Sequence, residues 1–221
     1  MPILFDMDGT LLDSAPAVVD RIQETLEHFG IAAPPAEELH IYIGPPTPYT
    51  MGQFLPAAEV EAATHFYRSL SERDGLAKQK LFPGIPALLA ALAEAGRPLG
   101  VASSKPQDEI DHIVEHFGIA EYFTAVVGAE DHRPEKADVV RQALSDLEKH
   151  LHDAAPVLVG DRIWDVEGAA AEGLPTVMVD WGYAAESEFA HAISRAASTD
   201  ALLDYLLTPA PLSVVTSAQK K

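Results

Sequence analysis

The chain of 221 residues contains no cysteine. Disulfide bonds, thiolate catalysis and cysteine-ligated zinc sites are therefore excluded. No uninterrupted apolar run approaches the roughly 18 residues that a membrane span requires. Residues 1–9 also lack the basic segment with which a secretory signal begins. Together these absences predict a cytoplasmic protein that has no membrane partner.

Basic residues are scarce, because 15 Lys and Arg stand against 34 Asp and Glu, a formal net charge of −19. A surplus of this size repels nucleic acids and anionic membranes, so we expect no nucleic-acid partner. One small anionic ligand remains compatible with it, because a metal ion or a few local cations can reverse the field within one pocket. The hydrophobic fraction of 48% is sufficient for a substantial core.

Short apolar runs alternate with helical patterns over most of the chain. Runs that are apolar throughout are typical of strands buried on both faces, so the alternation predicts an α/β fold with a doubly wound parallel sheet. The predicted strands are 2–5, 98–102, 125–127, 156–159 and 176–179, and the predicted helices that follow residue 81 are 85–95, 107–117, 136–151 and 163–172.

The region between residues 15 and 80 does not follow this alternation. Helical spacing occurs on both sides of a proline-interrupted stretch at 31–54, which predicts short helices and loops there. We therefore expect a small helical cap domain at 15–80, inserted after the first strand. The α/β core would comprise 1–14 and 81–221, with a loose tail at 208–221.

Polar side chains follow three of the predicted strands, at the edge of a parallel sheet where ligands bind. Several carboxylates held close together repel one another unless a cation lies among them, and oxygen ligands suit Mg²⁺. The sequence therefore predicts a magnesium site at this edge. The residues concerned are Asp6 and Asp8, Ser103 and Ser104, and Asp161 with Asp165.

Asp6 and Asp8 are two residues apart, a spacing that places both carboxylates on one face of an extended strand. One carboxylate can then act as a nucleophile towards phosphorus while the other gives and takes a proton. A metal ion and a lysine can neutralise the phosphoryl charge, and a serine hydroxyl can position it. This pattern favours phosphoryl-transfer chemistry.

Four motifs together resemble those of the haloacid dehalogenase (HAD) superfamily. Residues 5–11, Phe-Asp-Met-Asp-Gly-Thr-Leu, are similar to its first motif, and residues 160–165, Gly-Asp-Arg-Ile-Trp-Asp, match its fourth motif, GDxxxD. Ser103 matches the second motif, and Lys136 the third. The order of the motifs and the helical insert resemble the phosphoglycolate phosphatase-like branch with a helical cap.

The resemblance implies a magnesium-dependent phosphatase that acts on a small phosphorylated metabolite through an aspartyl-phosphate. Asp6 would be the nucleophile and a metal ligand, and Asp8 the general acid and base. Asp8 would also bind the metal through its main-chain carbonyl. Asp161 would complete the protein ligands, with Asp165 beside it. The residues implied to bind phosphate are Gly9, Thr10, Ser103, Ser104 and Lys136.

Several alternatives stay open at this point. Relatives often carry Lys-Pro-x-Pro at the third motif, so Arg133 could replace Lys136 there. A phosphotransferase of the same fold, such as a sugar phosphomutase, and a non-catalytic binding or regulatory protein are the rival functions. A phosphonatase is disfavoured because the chain has no lysine before Lys78. The protein could be a monomer or a homodimer.

Three further features are interpreted as follows. Lys105 is expected to be a solvated loop cation. Trp164 is expected to pack its helix. The loop 43–49 could contact the substrate or merely connect two helices.

Overall fold

The computed structural model describes residues 1–147 and 155–207. Its strands are β1 (Ile3–Phe5), β2 (Leu12–Asp13), β3 (Lys80–Leu81), β4 (Leu99–Pro106), β5 (Ala125–Ala129), β6 (Val157–Gly160), β7 (Thr176–Val179) and β8 (Ser194–Ala196). Its α-helices are α1 (Ala15–His28), α2 (Ala36–Leu39), α3 (Thr47–Gly52), α4 (Ala57–Asp74), α5 (Ile85–Glu94), α6 (Gln107–His116), α7 (Lys136–Asp146), α8 (Ile163–Ala171) and α9 (Thr199–Leu207). Short 3₁₀ helices occur at His40–Tyr42, Ala120–Tyr122 and Glu186–His191.

Six strands form one parallel sheet in the order β5-β4-β1-β6-β7-β8. Strand β1 lies inside it, with Ile3 opposite Leu99 of β4 on one side and opposite Val157 of β6 on the other. All three residues of β1 are fully buried. The predicted doubly wound parallel α/β fold is therefore confirmed.

Alternate residues of β1 contribute to two different hydrophobic cores, because successive side chains of a strand point to opposite faces. Ile3 and Phe5 belong to the core that includes residues of α5, α6 and α9. Leu4 belongs to the core that includes residues of α7 and α8. Helices thus cover both faces of the sheet and exclude solvent from its central strand.

Strand β4 continues further than the sequence suggests. The apolar run ends at Ala102, but the strand runs to Pro106, which pairs with Ala129 of β5 after a shift in register. Residues 103–105 therefore belong to the sheet and not to a loop. This extension determines where the polar side chains of the segment point.

Helices α1 to α4 share a hydrophobic cluster that is separate from the two cores of the sheet, and its members include Ile22, Leu26, Leu39 and Met51. The antiparallel pair of β2 and β3 joins the two ends of this segment. The helical character predicted for 15–80 is thus present. Its behaviour as a cap domain distinct from 1–14 and 81–221 stays a prediction.

The last strand and helix were not anticipated. Strand β8 has only three residues, two of them polar, so it carries no apolar run that sequence patterning can detect. Helix α7 ends at Asp146, and the end predicted for it at 151 lies outside the described residues, as does the tail predicted for 208–221. None of the described helices is both long and apolar enough to cross a bilayer.

Burial of β1 leads to a stability prediction. Ile3→Ala removes a fully buried side chain from the larger core, so we expect the free energy of unfolding to fall by about 2–5 kcal/mol. The control Ile193→Ala makes the same change where the side chain is 48% exposed and should cost less than about 1 kcal/mol. Urea denaturation of both variants measures the difference, and equal losses would contradict this account of the core.

Candidate active site

The carboxyl ends of β1, β4 and β6 bring most of the predicted residues together. Each of the six with predicted catalytic or metal-binding roles is at least nine-tenths buried, although each has a polar or charged side chain. Such groups are stable in a protein interior only when they are paired or hydrogen-bonded. The six residues are Asp6, Asp8, Ser103, Lys136, Asp161 and Asp165.

Lys136, at the first turn of α7, forms the central ion pairs of the site. Its Nζ donates a hydrogen bond to Asp6 Oδ1 at 2.6 Å and lies 2.7 Å from Asp165 Oδ1. Arg133, the alternative for the third motif, instead donates to the Gly128 carbonyl at 2.8 Å. The structure therefore places Lys136, and not Arg133, beside Asp6.

Asp6, Asp161 and Asp165 form a group of carboxylates that could hold a metal ion, since one oxygen from each lies within 4.8 Å of the others. Asp165 Oδ2 accepts hydrogen bonds from the amides of Asp161 and Arg162, both at 3.0 Å. Asp161 Oδ2 accepts one from the Tyr183 amide at 2.7 Å. Asp161 Oδ1 is buried and has no hydrogen-bond partner among the described residues, as expected of an oxygen left for a cation.

Two glycines allow the Asp161 carboxylate to approach the loop after β1. Gly9 has a φ of +76°, and a Cβ built on it would overlap the carboxylate of Asp161. A Cβ on Gly182 would overlap the same carboxylate. A side chain at either position would displace Asp161, which gives Gly9 a structural role besides the predicted one. The phosphate-binding roles of Gly9 and Thr10 stay predictions.

Asp8 turns away from this carboxylate group and pairs with Lys105. The two side chains are 3.2 Å apart, and Lys105 Nζ also donates to Glu109 Oε1 at 3.1 Å. The interpretation of Lys105 as a solvated cation is wrong, because only 8% of the residue is exposed. The physical reason is the extension of β4, whose alternation buries Ser103 and Lys105 on either side of half-buried Ser104.

Burial dominates the electrostatics of the site. It raises the pKa of Asp6 to about 7, against the opposing effect of Lys136 and with a further contribution from the neighbouring Asp165. Burial likewise raises the pKa of Asp161 well above its ordinary value. For Lys136, burial favours the neutral form, but Asp165 and Asp6 outweigh it and the pKa is raised. Lys136 therefore carries its charge at neutral pH.

Two residues beside the carboxylates connect them to the helical segment. Arg162 donates from Nη1 to the carbonyls of Ile41 at 3.0 Å and Ile43 at 2.6 Å. The Tyr183 hydroxyl accepts the amides of Ser14 and Ala15, both at 3.1 Å, at the start of α1. Sequence reasoning missed both residues, because these contacts join positions more than 100 residues apart. The only available signal for Arg162 was its position within GDxxxD.

A cavity of about 50 Å³ lies between the carboxyl end of β4 and the helical segment. Asp8, Ser104 and Lys105 line it on one side. Gly44, Pro45 and Thr47 line it from the loop 43–49, for which substrate contact and a plain connection between helices are the two interpretations. Nearby, Trp164 of α8 meets Tyr49 edge-on, with ring centres 4.9 Å apart. Trp164 therefore packs its helix, as predicted, against α3.

The family model for haloacid dehalogenase-like hydrolases matches residues 3–179, which include all four motifs. The chain belongs to this family. The solved structure of a predicted phosphatase from Clostridium acetobutylicum superposes with a TM-score of 0.86 at 32% identity, covering 93% of this chain and 97% of that one. The family predicted from the motifs is thus confirmed.

Its curated relatives carry several activities. The tyrosine-protein kinase PtkA of Mycobacterium tuberculosis is 40% identical over 82% of this chain, which spans only 62% of the length of PtkA. A 5'-nucleotidase of Pseudomonas aeruginosa is 35% identical, with 84% of this chain and 85% of the relative covered. A phosphoglycolate phosphatase of Cupriavidus necator is 32% identical, with 96% and 94% covered. The predicted likeness to phosphoglycolate phosphatases is confirmed.

The raised pKa of Asp6 leads to a prediction about metal binding. Protons compete with a cation for Asp6 below about pH 7, so stabilisation by Mg²⁺ should grow as pH rises through that value. Without a cation, stability should fall as pH rises from the ordinary Asp pKa of 3.8 to about 7 and then level off, because ionising a group whose folded pKa is raised opposes folding. We expect thermal melts to show a larger increase in Tm with Mg²⁺ at about pH 8 than at about pH 6.

Asp161→Asn serves as the control variant for these melts, because it removes a charge from the carboxylate group and retains the shape. The Tm of this variant should increase less with Mg²⁺, at either pH, than the Tm of the wild-type protein. An increase in Tm that is independent of pH, or that persists in the variant, would contradict a cation site at these carboxylates.

Proposed function

We propose that this protein is a magnesium-dependent phosphatase that hydrolyses phosphate monoesters of small metabolites through an aspartyl-phosphate at Asp6. One observation carries the proposal. Asp6 is buried, pairs with Lys136 at 2.6 Å and belongs to a carboxylate group able to hold a cation, while Asp8, two residues on, lines an adjoining cavity. The relatives that hydrolyse phosphate esters support this chemistry.

In the first step a carboxylate oxygen of Asp6 attacks phosphorus, and the bond from phosphorus to the ester oxygen breaks. Asp8 gives its proton to the departing oxygen, so the product leaves as a neutral alcohol. The position of Asp8 on the cavity wall suits this role, because the alcohol half of the ester must lie there.

In the second step Asp8, now a carboxylate, removes a proton from water, and the water oxygen attacks the phosphorus of the aspartyl-phosphate. The bond between phosphorus and Asp6 breaks, which releases phosphate and restores both aspartates. Lys136 stays beside Asp6 throughout and offsets the negative charge that gathers at phosphorus.

The donor set fits Mg²⁺, because it consists of oxygen atoms and includes the unpartnered Asp161 Oδ1. We infer that Asp6, Asp161 and the main-chain carbonyl of Asp8 hold the ion, with Asp165 orienting Lys136 and the loop after β6. The ion would supply positive charge that screens the phosphoryl oxygens from the carboxylates.

We propose that four groups bind the phosphoryl oxygens. They are the Ser103 hydroxyl, the Ser104 amide, the Lys136 ammonium and the backbone of Gly9 and Thr10. Ser103 lies on β4, the strand next to β1, and Lys136 pairs with Asp6. Residues 15–80 would form the cap that closes over this edge and excludes bulk water, held through Arg162.

We expect the protein to act in the cytoplasm, as a monomer or a homodimer, without nucleic acid or membrane partners. The net charge of −19 supports the exclusion of polyanionic partners.

Transfer of a phosphoryl group to a protein is the second candidate. The observation that favours it is the 40% identity to a tyrosine-protein kinase over 82% of the chain. An aspartyl-phosphate can pass its phosphoryl group to an acceptor hydroxyl instead of water. Free phosphate and phosphorylated acceptor, measured in the same reaction, separate the two functions.

Phosphate release from a panel of phosphorylated metabolites, with and without Mg²⁺, tests the proposal. Asp6→Asn removes the nucleophile and should lower kcat at least about 10³-fold. Asp8→Asn should lower kcat by about 10²–10⁴-fold, with a smaller loss for esters of acidic phenols, whose leaving groups need no proton. Asp111→Asn, an exposed change of the same kind on α6, serves as the control. Wild-type rates in Asp6→Asn would refute the proposal.

A further inference from the structure

The cavity beside Asp8 must receive the alcohol half of the substrate if the proposed function holds, and the inference drawn here rests on that function. The charged groups on the cavity wall then decide which alcohol is accepted. Asp8, Lys105 and Glu109 are the carboxylates and amines among its lining residues. Two negative groups thus face one positive group.

The positive charge of Lys105 is already paired with protein carboxylates, so it is not available to a ligand. Its ammonium lies 3.2 Å from Asp8 Oδ2 and 3.1 Å from Glu109 Oε1, so a carboxylate already holds it on each side. When Asp8 is protonated, the pair of Lys105 and Glu109 still balances to zero. In neither state does the cavity wall present a cation without a carboxylate beside it.

A further cation that lies near Glu109, Arg21, is not among the residues that line the cavity. Arg21 lies 3.9 Å from Glu109, but only 1% of its side chain is exposed. Its Nη2 donates to the Gly75 carbonyl at 2.9 Å, on the side of the C-terminus of α4. Arg21 therefore stabilises the Glu109 carboxylate without lining the cavity.

Glu109 is ionised in this setting. Burial by itself would raise its pKa, but Lys105 and Arg21 more than offset burial, and the pKa lies below its ordinary value. The charge of Glu109 is thus a fixed feature of the cavity at neutral pH.

The remaining wall suits a neutral, hydroxyl-bearing group. Val18, Ile22 and Met51 supply apolar surface, and Tyr42 and Tyr67 supply aromatic surface. Thr50 also lines the cavity, and its buried hydroxyl has no hydrogen-bond partner among the described residues. Because an unpartnered buried hydroxyl is costly, a ligand hydroxyl that pairs with it would gain affinity.

We propose that Glu109 makes this cavity reject a second anionic group, so that the preferred esters release a neutral hydroxylated alcohol instead of a hydroxy acid such as glycolate. A carboxylate placed here would lose its hydration and meet Glu109, while Lys105 is already paired. This selectivity would separate the chain from the phosphoglycolate phosphatases that it resembles.

Two esters of nearly equal size test the proposal: 2-phosphoglycolate and 2-hydroxyethyl phosphate, which differ in ending in a carboxylate or a hydroxyl. With Mg²⁺ and the wild-type protein, we expect kcat/KM to be at least roughly tenfold lower for 2-phosphoglycolate. Equal values, or a preference for 2-phosphoglycolate, would overturn the proposal.

Glu109→Gln tests the residue itself, because it removes the charge and keeps the shape. The ratio of the two kcat/KM values should shift roughly tenfold towards 2-phosphoglycolate. Glu115→Gln removes the same charge from an exposed position of α6 and should leave the ratio unchanged. Since each ratio is taken within one protein, partial unfolding of a variant cancels. An unchanged ratio in Glu109→Gln would overturn the assignment.

Binding to the Asp6→Asn variant separates this inference from the proposed function, because that variant should not consume either ester. Calorimetry with this variant should give a larger Kd for 2-phosphoglycolate than for 2-hydroxyethyl phosphate. If that order holds and the wild-type protein releases no phosphate, the phosphatase fails and the selectivity stands. If release needs Asp6 and Mg²⁺ but 2-phosphoglycolate binds and reacts better, the phosphatase stands and the selectivity fails.

Discussion

The ion pairs of Lys136 with Asp6 and Asp165 are the interactions on which the rest of the site depends. Three carboxylates lie within 4.8 Å of one another in the protein interior, and one lysine balances part of their charge. Removing one partner of a buried ion pair leaves an uncompensated charge, which costs about 3–5 kcal/mol. The remaining negative charge disfavours the carboxylate group on its own and would also attract a cation, so the same charge underlies both effects.

A second ion cluster, formed by Asp8, Lys105 and Glu109, lies beside the first. The two clusters differ in their surroundings. The first cluster surrounds Asp6, the proposed nucleophile, and the second faces the cavity proposed to receive the alcohol half of the ester. Adjacent carboxylates on one loop, Asp6 and Asp8, thus meet different lysines from different elements. This separation suits the proposed mechanism, in which one aspartate attacks and the other transfers a proton, because each carboxylate has its own electrostatic environment.

The helical segment is joined to the site through the residues next to its carboxylates. Arg162 follows Asp161 and donates to two carbonyls of that segment, while the amide of Tyr183 holds Asp161 and its hydroxyl accepts two amides of α1. Movement of the helices therefore has a direct route to the group proposed to bind the metal. The cavity between the helical segment and Asp8 lies next to these contacts.

The sequence by itself determined the α/β fold, the helical insert, the family and the group of Asp6, Asp161 and Asp165, because apolar runs, strand ends and motif spacing are local signals. Tertiary structure alone decided between Lys136 and Arg133, turned Asp8 towards Lys105 and buried Lys105 with Glu109. The burial of Lys105 depends on how far β4 continues beside β5, and pairing with a neighbouring strand sets that length. The choice of Lys136 depends on the position of the start of α7 beside Asp6. The contacts of Arg162 and Tyr183 are decided in the same way, since backbone groups more than 100 residues away accept or donate them and leave no pattern in the chain.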